Sequence, residues 1–569
     1  MRPADTVLSN ARVYTVDQAQ PWARAVAIRG KKIAHVGGER GADASIGPST
    51  RLFDLHGKLV LPGLIDSHVH PKSVALSSWH TKLPWTFDAD EQLRYLRDWA
   101  SRNPDQKVIY AEYYPTAMFG PDDPPTAELI DDYVPDRAVI WQSFSDHAGC
   151  LNSKALALMG IDRHTPDPDD SAGFFQRDAA GDPTGYVTEN VWWRYADALF
   201  GGAGWSPPVE LTPQLLDGFL RFLSAKGVTA IWDAMSEVDT LRSVRELDRL
   251  GKLTMHYEGA VLFTGVADLA QSIATLRRLQ ARYGGRHIHL GALKYFLDGT
   301  NETGTSAVLQ PFANDPTGTN LGTLTMSEDD LLACLLELNR EDLDLHIHMV
   351  GDRAFRTACN AVERAQRELD RDWRIQVTFA HCELIDPTDM PRAAELGIII
   401  NWTPHWSGGY FGLAPMAWLG RERFGRMYQF NPVIDAGAIL ACSSDVVSQY
   451  EAHRADPFFG MQAGHTRIDP DPDQDMGVRE PDSARLRLTD LLRGFTINGA
   501  VQLRRSRTMG SIEVGKLANL VVLGRDLFGV APDEIKNVAP LATMFEGKVV
   551  YGSLTVDAES TNANRGQGT

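Results

Sequence analysis

The sequence predicts an α/β protein in which a (β/α)8 barrel stands beside a small β-sandwich. Between residues 59 and 445, eight short apolar runs alternate with amphipathic segments, as parallel strands and covering helices do in such barrels. Both ends of the chain carry short alternating strands with turns, and neither end is long enough to form its own core. We therefore expect residues 1–62 and 508–555 to form one composite sandwich and residues 63–507 to form the barrel.

The terminal strands are predicted from apolar and polar residues that alternate around turn signals. At one end, VLSNARVYTV and AVAIRGKKIAHVG lie around the turns Asp17-Gln18 and Arg29-Gly30. Near the other end, KLANLVVLGRD and LATMFEGKVVYG repeat the pattern, with Glu546-Gly547 as a hairpin turn. Residues 556–569 are polar and aperiodic, which predicts a disordered tail.

The barrel strands are predicted from the apolar runs themselves. Several runs are followed by helical patterns; segment 352–369, for example, is apolar at 355, 358, 362, 365 and 369. The eight runs are LVLPGLIDSHVH (59–70), GVTAIWDA (227–234), LTMHYEGAVLF (253–263), IHLGALKYFLD (288–298), LDLHIHMVG (343–351), IQVTFAHCE (375–383), LGIIINWTP (396–404) and AILACSSD (438–445).

A long insertion, at about 71–226, separates the first two predicted barrel strands. It does not follow the strand–helix rhythm and is rich in Pro, Asp and aromatic residues. Loops of this length are usually functional, so we interpret the insertion as a lid or pocket wall that selects the substrate. Its aromatic residues are typical of a core, and a hydrophobic substrate wall is the alternative; they include Trp79, Trp85, Tyr113, Tyr114, Trp192 and Trp193.

The composition excludes several classes of partner. Asp and Glu outnumber Lys and Arg by 74 to 56, so the net charge of −18 disfavours nucleic acids and anionic membranes. We see no apolar run long enough to span a membrane and no secretory signal, and the five cysteines are irregularly spaced. We therefore expect a cytoplasmic protein with reduced thiols. Strand edges in the sandwich are compatible with a homodimer.

Two histidines and a lysine are the first candidates for a metal site. His68 and His70 are two residues apart at a strand end, so both imidazoles can face the barrel mouth. Alone, such a pair is more often two solvated histidines. Lys294 lies inside an apolar strand, where an ammonium group would lose its hydration. It must pair with an acid such as Asp298, lose its proton, or react with CO2 to form a carbamate.

Three further strands end in side chains that can bind metal. His348 and His381 each end an apolar run, and Asp445 ends the last one. His346 lies on the same face as His348 but deeper, so we expect it to be a packed core residue. The C-terminal ends of barrel strands are where such folds place their active sites. The joint pattern therefore indicates a divalent-metal site far more strongly than any one residue does.

With these residues in place, the sequence resembles the amidohydrolase superfamily of metal-dependent hydrolases. It is most similar to the YtcJ-like branch, which includes N-substituted formamide deformylase. The resemblance covers nearly the whole chain. It rests on PGLIDSHVHP (62–71), DHAGCLNSKAL (146–156), GDPTGYVTEN (181–190), LKYFLDGTNETGTSAVLQPF (293–312), HMVGDRAF (348–355), AHCELIDP (380–387), SSDVV (443–447) and GSIEVGKLANLVVL (510–523).

The resemblance implies two divalent metal ions bridged by a carbamate on Lys294. One ion would be held by His68, His70, Lys294 and Asp445, and the other by Lys294, His348 and His381. Zinc is favoured, although iron or manganese would suit the same ligands. The chain departs from the branch at AHCE, where EHAQ is usual. We expect Cys382 to point away from His381 into packing, although it could alter the pocket or bind metal.

The resemblance also implies the reaction, hydrolysis of a non-peptide C–N bond by a metal-activated hydroxide. Asp445 would take the water's proton and pass it to the leaving nitrogen. We expect a hydrophobic N-substituted amide as substrate. Cyclic-amide opening or deamination within the superfamily is the alternative; a non-catalytic scaffold is disfavoured because no expected ligand is missing.

Contacts with the substrate are predicted near the same strand ends. His147 could donate a hydrogen bond to the substrate carbonyl, or it could instead cap a helix that begins near Asn152. The other candidate substrate-binding residues are Tyr295, Asp298, Trp402, His405 and Trp79.

Overall fold

The computed structural model describes residues 2–408, 413–474 and 476–556, so the predicted tail from 557 onward lies outside the described residues. Its strands, numbered along the chain, are β1 (Thr6–Ser9), β2 (Arg12–Tyr14), β3 (Trp22–Ala23), β4 (Ala25–Arg29), β5 (Lys32–Gly37), β6 (Arg51–Asp54), β7 (Leu59–Pro62), β8 (Leu64–Val69), β9 (Thr81–Lys82), β10 (Val108–Tyr114), β11 (Ala138–Ser143), β12 (Ala148–Leu151), β13 (Phe175–Arg177), β14 (Pro183–Thr188), β15 (Val228–Asp233), β16 (His256–Leu262), β17 (Ile288–Phe296), β18 (Asp344–Met349), β19 (Val377–His381), β20 (Ile399–Trp402), β21 (Ile439–Cys442), β22 (Leu520–Leu523), β23 (Pro540–Phe545) and β24 (Lys548–Gly552).

The helices are numbered in the same way, and short 3-10 turns connect several of them. They are α1 (Glu39–Asp43), α2 (Pro71–Leu76), α3 (Ala89–Arg102), α4 (Ala127–Asp131), α5 (Ser153–Met159), α6 (Ala196–Ala203), α7 (Pro213–Ala225), α8 (Val238–Arg249), α9 (Val266–Tyr283), α10 (Glu328–Glu341), α11 (Asp352–Leu369), α12 (Arg392–Glu395), α13 (Leu413–Arg426), α14 (Asn431–Asp435), α15 (Pro457–Thr466), α16 (Leu488–Arg493) and α17 (Gly499–Gln502).

The predicted barrel is confirmed. Eight parallel strands form one sheet in the order β8, β15, β16, β17, β18, β19, β20 and β21, and each predicted apolar run contains one of them. We call the place where β8 meets the segment after β21 the barrel seam. It is joined by single hydrogen bonds, from Asp445 N to His68 O at 2.9 Å and from His70 N to Val446 O at 3.3 Å. All eight strands therefore direct their C-terminal ends to one face.

Amphipathic helices cover the outside of the barrel, as the sequence predicts. Helix α11 coincides with the predicted segment and buries Phe355, Ala358, Val362 and Ala365 against the strands. A buried aromatic or branched aliphatic side chain of this kind contributes about 1.5–3 kcal/mol relative to an exposed one. Packing of this face, rather than helix propensity, holds the helix in place.

The terminal strands form two sheets. Strands β5, β4, β1 and β6 make a four-stranded sheet, and β24, β23, β22, β7, β2 and β3 make a six-stranded sheet from both ends of the chain. In the second sheet β7 lies between β2 and β22, with Leu61 opposite Val521. A shared apolar core, including Leu8, Val26 and Met544, fills the space between the sheets.

The insertion is an ordered α/β layer rather than an irregular loop. Its sheet has the order β13, β14, β12, β11, β10 and β9, and α3 to α6 pack around it. Strands with the sequences VIYAEYY and AVIWQS are buried along their whole length. These continuous, largely apolar runs are the sequence signal for strands within the insertion, which sequence reasoning overlooked. Helix α7, which lies inside the predicted insertion range, packs on the barrel core through Leu216, Leu220 and Leu223.

The described residues contain no helix with the length and apolar character that crossing a bilayer requires. The five cysteines all lie in described ranges, and each is a buried free thiol.

Candidate metal centre

A cavity of about 400 Å³ opens at the C-terminal ends of the barrel strands. The six predicted metal ligands all line it, although they come from five different places around the barrel: His68, His70, Lys294, His348, His381 and Asp445. Residues of the insertion form the opposite wall. The barrel therefore brings together the polar side chains that the sequence spreads over almost 380 positions.

The most compact group within the cavity is His68, His70 and Asp445. Asp445 Oδ1 lies 3.4 Å from His68 Nε2 and 3.2 Å from His70 Nε2. Two ligand atoms bound tetrahedrally to one zinc ion at about 2.0–2.1 Å lie about 3.3–3.4 Å apart. The spacing of these three side chains therefore fits a shared divalent cation.

His348 and His381 lie beside this group. Asp445 Oδ2 is 3.5 Å from His381 Nδ1, and the rings of His348 and His381 are 4.6 Å apart between centroids. The pKa values of His68, His348 and His381 lie well below the usual value, mainly because the three rings are buried. The second-largest cause is the charge of Lys294 for His68 and His348, and the charge of a neighbouring imidazole for His381. These imidazoles are neutral at pH 7, which is the form that binds metal.

Lys294 is buried among these groups, and its Nζ has no hydrogen-bond partner within the described residues. Burial lowers the pKa of the amine to about 7, against an opposing effect of Asp445. Asp298 is not the partner, because it accepts hydrogen bonds from the backbone amides of Ala307, Val350 and Gly351. The ion-pair explanation for Lys294 is therefore wrong, and an unsatisfied amine remains at the centre of the cavity.

Backbone strain and one buried acid orient the ligands. His381 and Asp445 have φ values of 74° and 52°, in the left-handed region that non-glycine residues rarely adopt. Asp66 accepts hydrogen bonds from Ser444 N and Oγ at 2.9 and 2.5 Å, and so ties the turn that carries Asp445 to β8. Sequence reasoning overlooked Asp66, although a carboxylate two residues before His68 in an apolar strand was a usable signal.

His346 is buried, as expected, and it also contacts a metal-ligand candidate. Its Nε2 is 3.1 Å from His68 Nδ1, and its ring stacks on Trp232 with 4.1 Å between centroids. One of the two facing nitrogens donates a hydrogen bond to the other, which fixes the ring of His68 with Nε2 toward Asp445. His346 thus orients a candidate ligand, a role that spacing alone did not reveal.

His147 lies on the insertion side of the cavity, with its ring 5.9 Å from that of His348. Its Nδ1 is 2.6 Å from Glu189 Oε2. Burial alone would lower the pKa of His147, but the charge and hydrogen bond of Glu189 outweigh it and raise the pKa to about 10. The helix-capping explanation is wrong, because the side chain of Asn152 itself caps α5.

Tyr295 and Asp298 line the cavity, whereas three other predicted contacts do not. Trp402 lies against Phe430 on the outside of the barrel, because its neighbour Asn401 occupies the inward side of β20. His405 is buried beside Phe459. Trp79 packs with aromatic neighbours inside the insertion. Substrate contact by Trp402, His405 and Trp79 is therefore not supported.

The apolar part of the cavity comes from other aromatic residues. Trp406 stacks on His381 with 5.2 Å between ring centroids, and a 3-10 turn (Pro404–Ser407) directs it inward. Among the insertion aromatics named from the sequence, only Trp193 lines the cavity, and it is 45% exposed. The wall is completed by Phe144, Phe263 and Phe296. Cys382, by contrast, packs in the barrel core.

Comparisons with known proteins agree with this fold. A model of the amidohydrolase family matches residues 51–551. N-substituted formamide deformylase of Arthrobacter pascens is 27% identical over 561 residues, which cover 96% of this chain and 98% of that protein. The exoenzymes regulatory protein AepA of Pectobacterium carotovorum subsp. carotovorum is 29% identical over 414 residues, 72% of this chain and 86% of that protein. The predicted resemblance is therefore confirmed.

The fold is also found among solved structures. An uncharacterized metal-dependent hydrolase from Pyrococcus horikoshii OT3 superposes with a TM-score of 0.65, over 93% of this chain and 99% of that one. At 20% sequence identity, this likeness establishes the fold alone.

Proposed function

Because the chain belongs to the amidohydrolase family, we propose that it hydrolyses a non-peptide C–N bond in an N-substituted amide with an apolar substituent. The proposal rests above all on one observation, the convergence of the six predicted ligand side chains in one cavity. The aromatic wall of that cavity supports the apolar substituent. The similarity to N-substituted formamide deformylase supports the type of bond.

The spacing of His68, His70 and Asp445 fits one divalent cation, and we propose a second beside it, with zinc favoured for both. His68, His70 and Asp445 would hold the first, and His348 with His381 the second. The uncharged amine of Lys294 would bond to the carbon of CO2 and release one proton, which gives a carbamate with two oxygens for both cations. The bound cations would polarise the amide carbonyl and lower the pKa of a water molecule.

The remaining steps are assigned to groups of the chain itself. Asp445, whose oxygens face three imidazoles, would receive the proton of the attacking water and deliver it to the departing amine. His147, held protonated by Glu189, would donate a hydrogen bond to the carbonyl oxygen as negative charge develops there. The aromatic wall would hold the substituent and exclude water.

A panel of amides tests the proposal, with release of the amine as the readout. The panel should contain N-benzyl, N-alkyl and amino-acid-derived amides and cyclic amides, and the protein should be purified without chelator. We expect hydrolysis of the aromatic N-substituted members and bound divalent metal. Preference for cyclic amides would favour the alternative superfamily reaction, and preference for charged amino-acid derivatives would contradict the proposed substrate.

A variant tests the proposed roles of Asp445 as a proton carrier and as a metal ligand. Asp445→Asn keeps the shape of the side chain but cannot carry the proton, so we expect it to lose activity. Asp182→Asn, an exposed aspartate paired with Arg163 in the insertion, is the matched control and should keep full activity. Absence of both metal and activity in the wild-type protein would instead favour a non-catalytic role.

A further inference from the structure

Glu189 and His147 form a pair that joins two neighbouring strands of the insertion sheet. His147 precedes β12 and Glu189 follows β14, and these strands pair with Ala148 opposite Thr188. The side chains meet at 2.6 Å between His147 Nδ1 and Glu189 Oε2. The backbone amide of Glu189 also donates to the carbonyl of His147 at 2.7 Å. The pair is thus fixed by both backbone and side chain.

The other oxygen of Glu189 reaches across to the barrel. Glu189 Oε1 accepts hydrogen bonds from Thr305 Oγ1 at 2.6 Å and Thr303 Oγ1 at 3.1 Å, and Thr300 Oγ1 lies at 3.5 Å. These threonines belong to the loop that follows β17, the strand that carries Lys294. One carboxylate therefore connects His147 to the part of the barrel directly above the metal centre.

The loop is shaped closely around this carboxylate. A Cβ on Gly299 would lie 2.1 Å from Thr305 Oγ1 and 2.7 Å from Glu189 Oε1, so only glycine fits there without displacing them. Glu189 and Asn190 both have φ of 50°, a conformation that costs roughly 1–2 kcal/mol for a residue with a side chain. Such strain persists only where the surrounding contacts enforce it.

We propose that Glu189 is a positioning residue that holds His147 in one ring orientation, with Nδ1 on the carboxylate and the other nitrogen available to the substrate carbonyl. Through its threonine contacts, Glu189 also sets the distance between His147 and the strand of Lys294. The inference rests on the proposed function, because it assigns His147 to the substrate carbonyl. It accounts for the partly buried ion pair that lines the cavity instead of the insertion core.

Kinetics of Glu189→Gln test this role. Glutamine keeps the size of the side chain and can still contact the threonines, but it lacks the charge that orients the imidazole. We expect kcat to fall about 10- to 100-fold, as for other residues that orient a catalytic group, with KM changed less than about 3-fold. Metal content should match the wild type, whereas Tm at pH 7 should be lower, because the ion pair with His147 is lost. Asp182→Asn is again the control, because it removes an exposed carboxylate of the same insertion.

A double-mutant cycle separates positioning from general structure. If Glu189 acts through His147, then adding Glu189→Gln to His147→Gln should change kcat by less than about 3-fold, since coupled residues are not additive. Independent, multiplicative losses in the double variant would overturn the proposal. Glu189→Asp provides a second variant if the glutamine protein does not fold, and its shorter side chain should also lower kcat.

A readout without activity distinguishes failure of this inference from failure of the proposed function. In protein labelled with 15N-histidine, two-bond 1H–15N spectra report which ring nitrogen of His147 is protonated, with His147→Gln supplying the assignment. We expect a hydrogen-bonded Nδ1–H in the wild type that is lost or weakened in Glu189→Gln. An unchanged spectrum would overturn the positioning role. The expected spectrum together with no amide hydrolysis would overturn the proposed function alone.

Discussion

The environment of Lys294 indicates which chemistry this side chain can perform. Its amine is buried, has no hydrogen-bond partner in the described part of the chain, and has a pKa lowered by burial to about 7. An amine with this pKa is uncharged in about half of the molecules at pH 7, and the uncharged form is nucleophilic enough to react with CO2. The burial that destabilises the charged ammonium form of Lys294 therefore favours its conversion to an anionic carbamate.

Replacement of Lys294 tests that assignment. We expect Lys294→Ala to abolish amide hydrolysis, because the proposed carbamate bridge between two cations could not form. Short carboxylic acids added to the variant should restore part of the activity by occupying the vacated space. Full activity in the alanine variant, with unchanged metal content, would contradict the assignment.

His346 provides a test of support for the ligands. His346→Phe keeps the ring that stacks on Trp232 but removes the hydrogen bond to His68 Nδ1. Loss of such a partner typically weakens metal binding about 10- to 100-fold, which competition with a chelating dye would measure. His256→Phe is the control, because His256 is equally buried and neither of its ring nitrogens has a hydrogen-bond partner in the described chain. Equal metal affinity in both variants would contradict the role of His346.

The ion pair of His147 predicts a specific pH dependence of stability. Its folded-state pKa of about 10 exceeds the usual 6.5, so its protonation stabilises the fold fully below pH 6.5 and ceases to do so as the pH rises through 10. The charges that raise the pKa of His147 are those of Glu189, Glu302 and Asp146. We expect the difference in Tm between metal-free wild type and Glu189→Gln to shrink from pH 7 to 10. A constant difference would contradict the ion pair.

Most of the candidate ligands could be predicted at the residue scale, because His70, His348, His381 and Asp445 lie at or near the ends of apolar runs and Lys294 lies inside one. Residues that act through another residue could not be. Glu189 and Asp66 are ordinary acids in the sequence, and their importance depends on partners more than 100 positions away, in Thr305 and Ser444. Such pairings are set by tertiary packing and leave no local pattern.

At the scale of elements, the alternation of side chains along strands decided which aromatic residues face the cavity. Trp402 is the last residue of β20 and points outward, because Asn401 points inward. Trp406, four residues later in a 3-10 turn, points in. The sequence predicted Trp402 and His405 as pocket residues near the seventh strand and did not identify Trp406, since the direction of a turn cannot be read from strand periodicity.

The 3-10 turn Val191–Tyr195 is the element of the insertion that we expect to select the substrate. Trp193 lies on it and lines the cavity, whereas its neighbour Trp192 is buried in the insertion core. Trp193→Ala should raise KM for aromatic N-substituted amides about 10-fold or more, by loss of apolar contact area, and change kcat little. Small N-methyl amides are the control and should be less affected. An equal effect on both substrates would contradict a wall built from this turn.

For the whole molecule, the fold class and the composite terminal sheet could be predicted because their short strand and helix patterns recur regularly along the chain. The insertion could not, because a continuously buried strand and a core helix give the same apolar run. Its strands became identifiable only through their pairing, for example β10 beside β11.

The barrel seam predicts how the whole barrel responds to loss of metal. His68, His70 and Asp445 face each other across the seam, where backbone hydrogen bonds are few. A cation bound by all three would therefore join β8 to the segment after β21. We expect a chelator to lower Tm and to speed amide hydrogen exchange in 64–70 and 443–447, with α11 unaffected at first. Uniform exchange over the barrel would contradict a local effect.

The position of β7 also has a consequence for how the protein is made. Strand β7 is paired on both sides only after β22 has been synthesised, because Leu61 pairs with Val521, about 460 residues later. At a translation rate of 5–20 residues per second, this leaves an exposed strand edge on the ribosome for roughly 20 to 90 s. The nascent chain is therefore most exposed to misassociation near its beginning, and ribosome-bound chaperones should be found there rather than on the barrel strands.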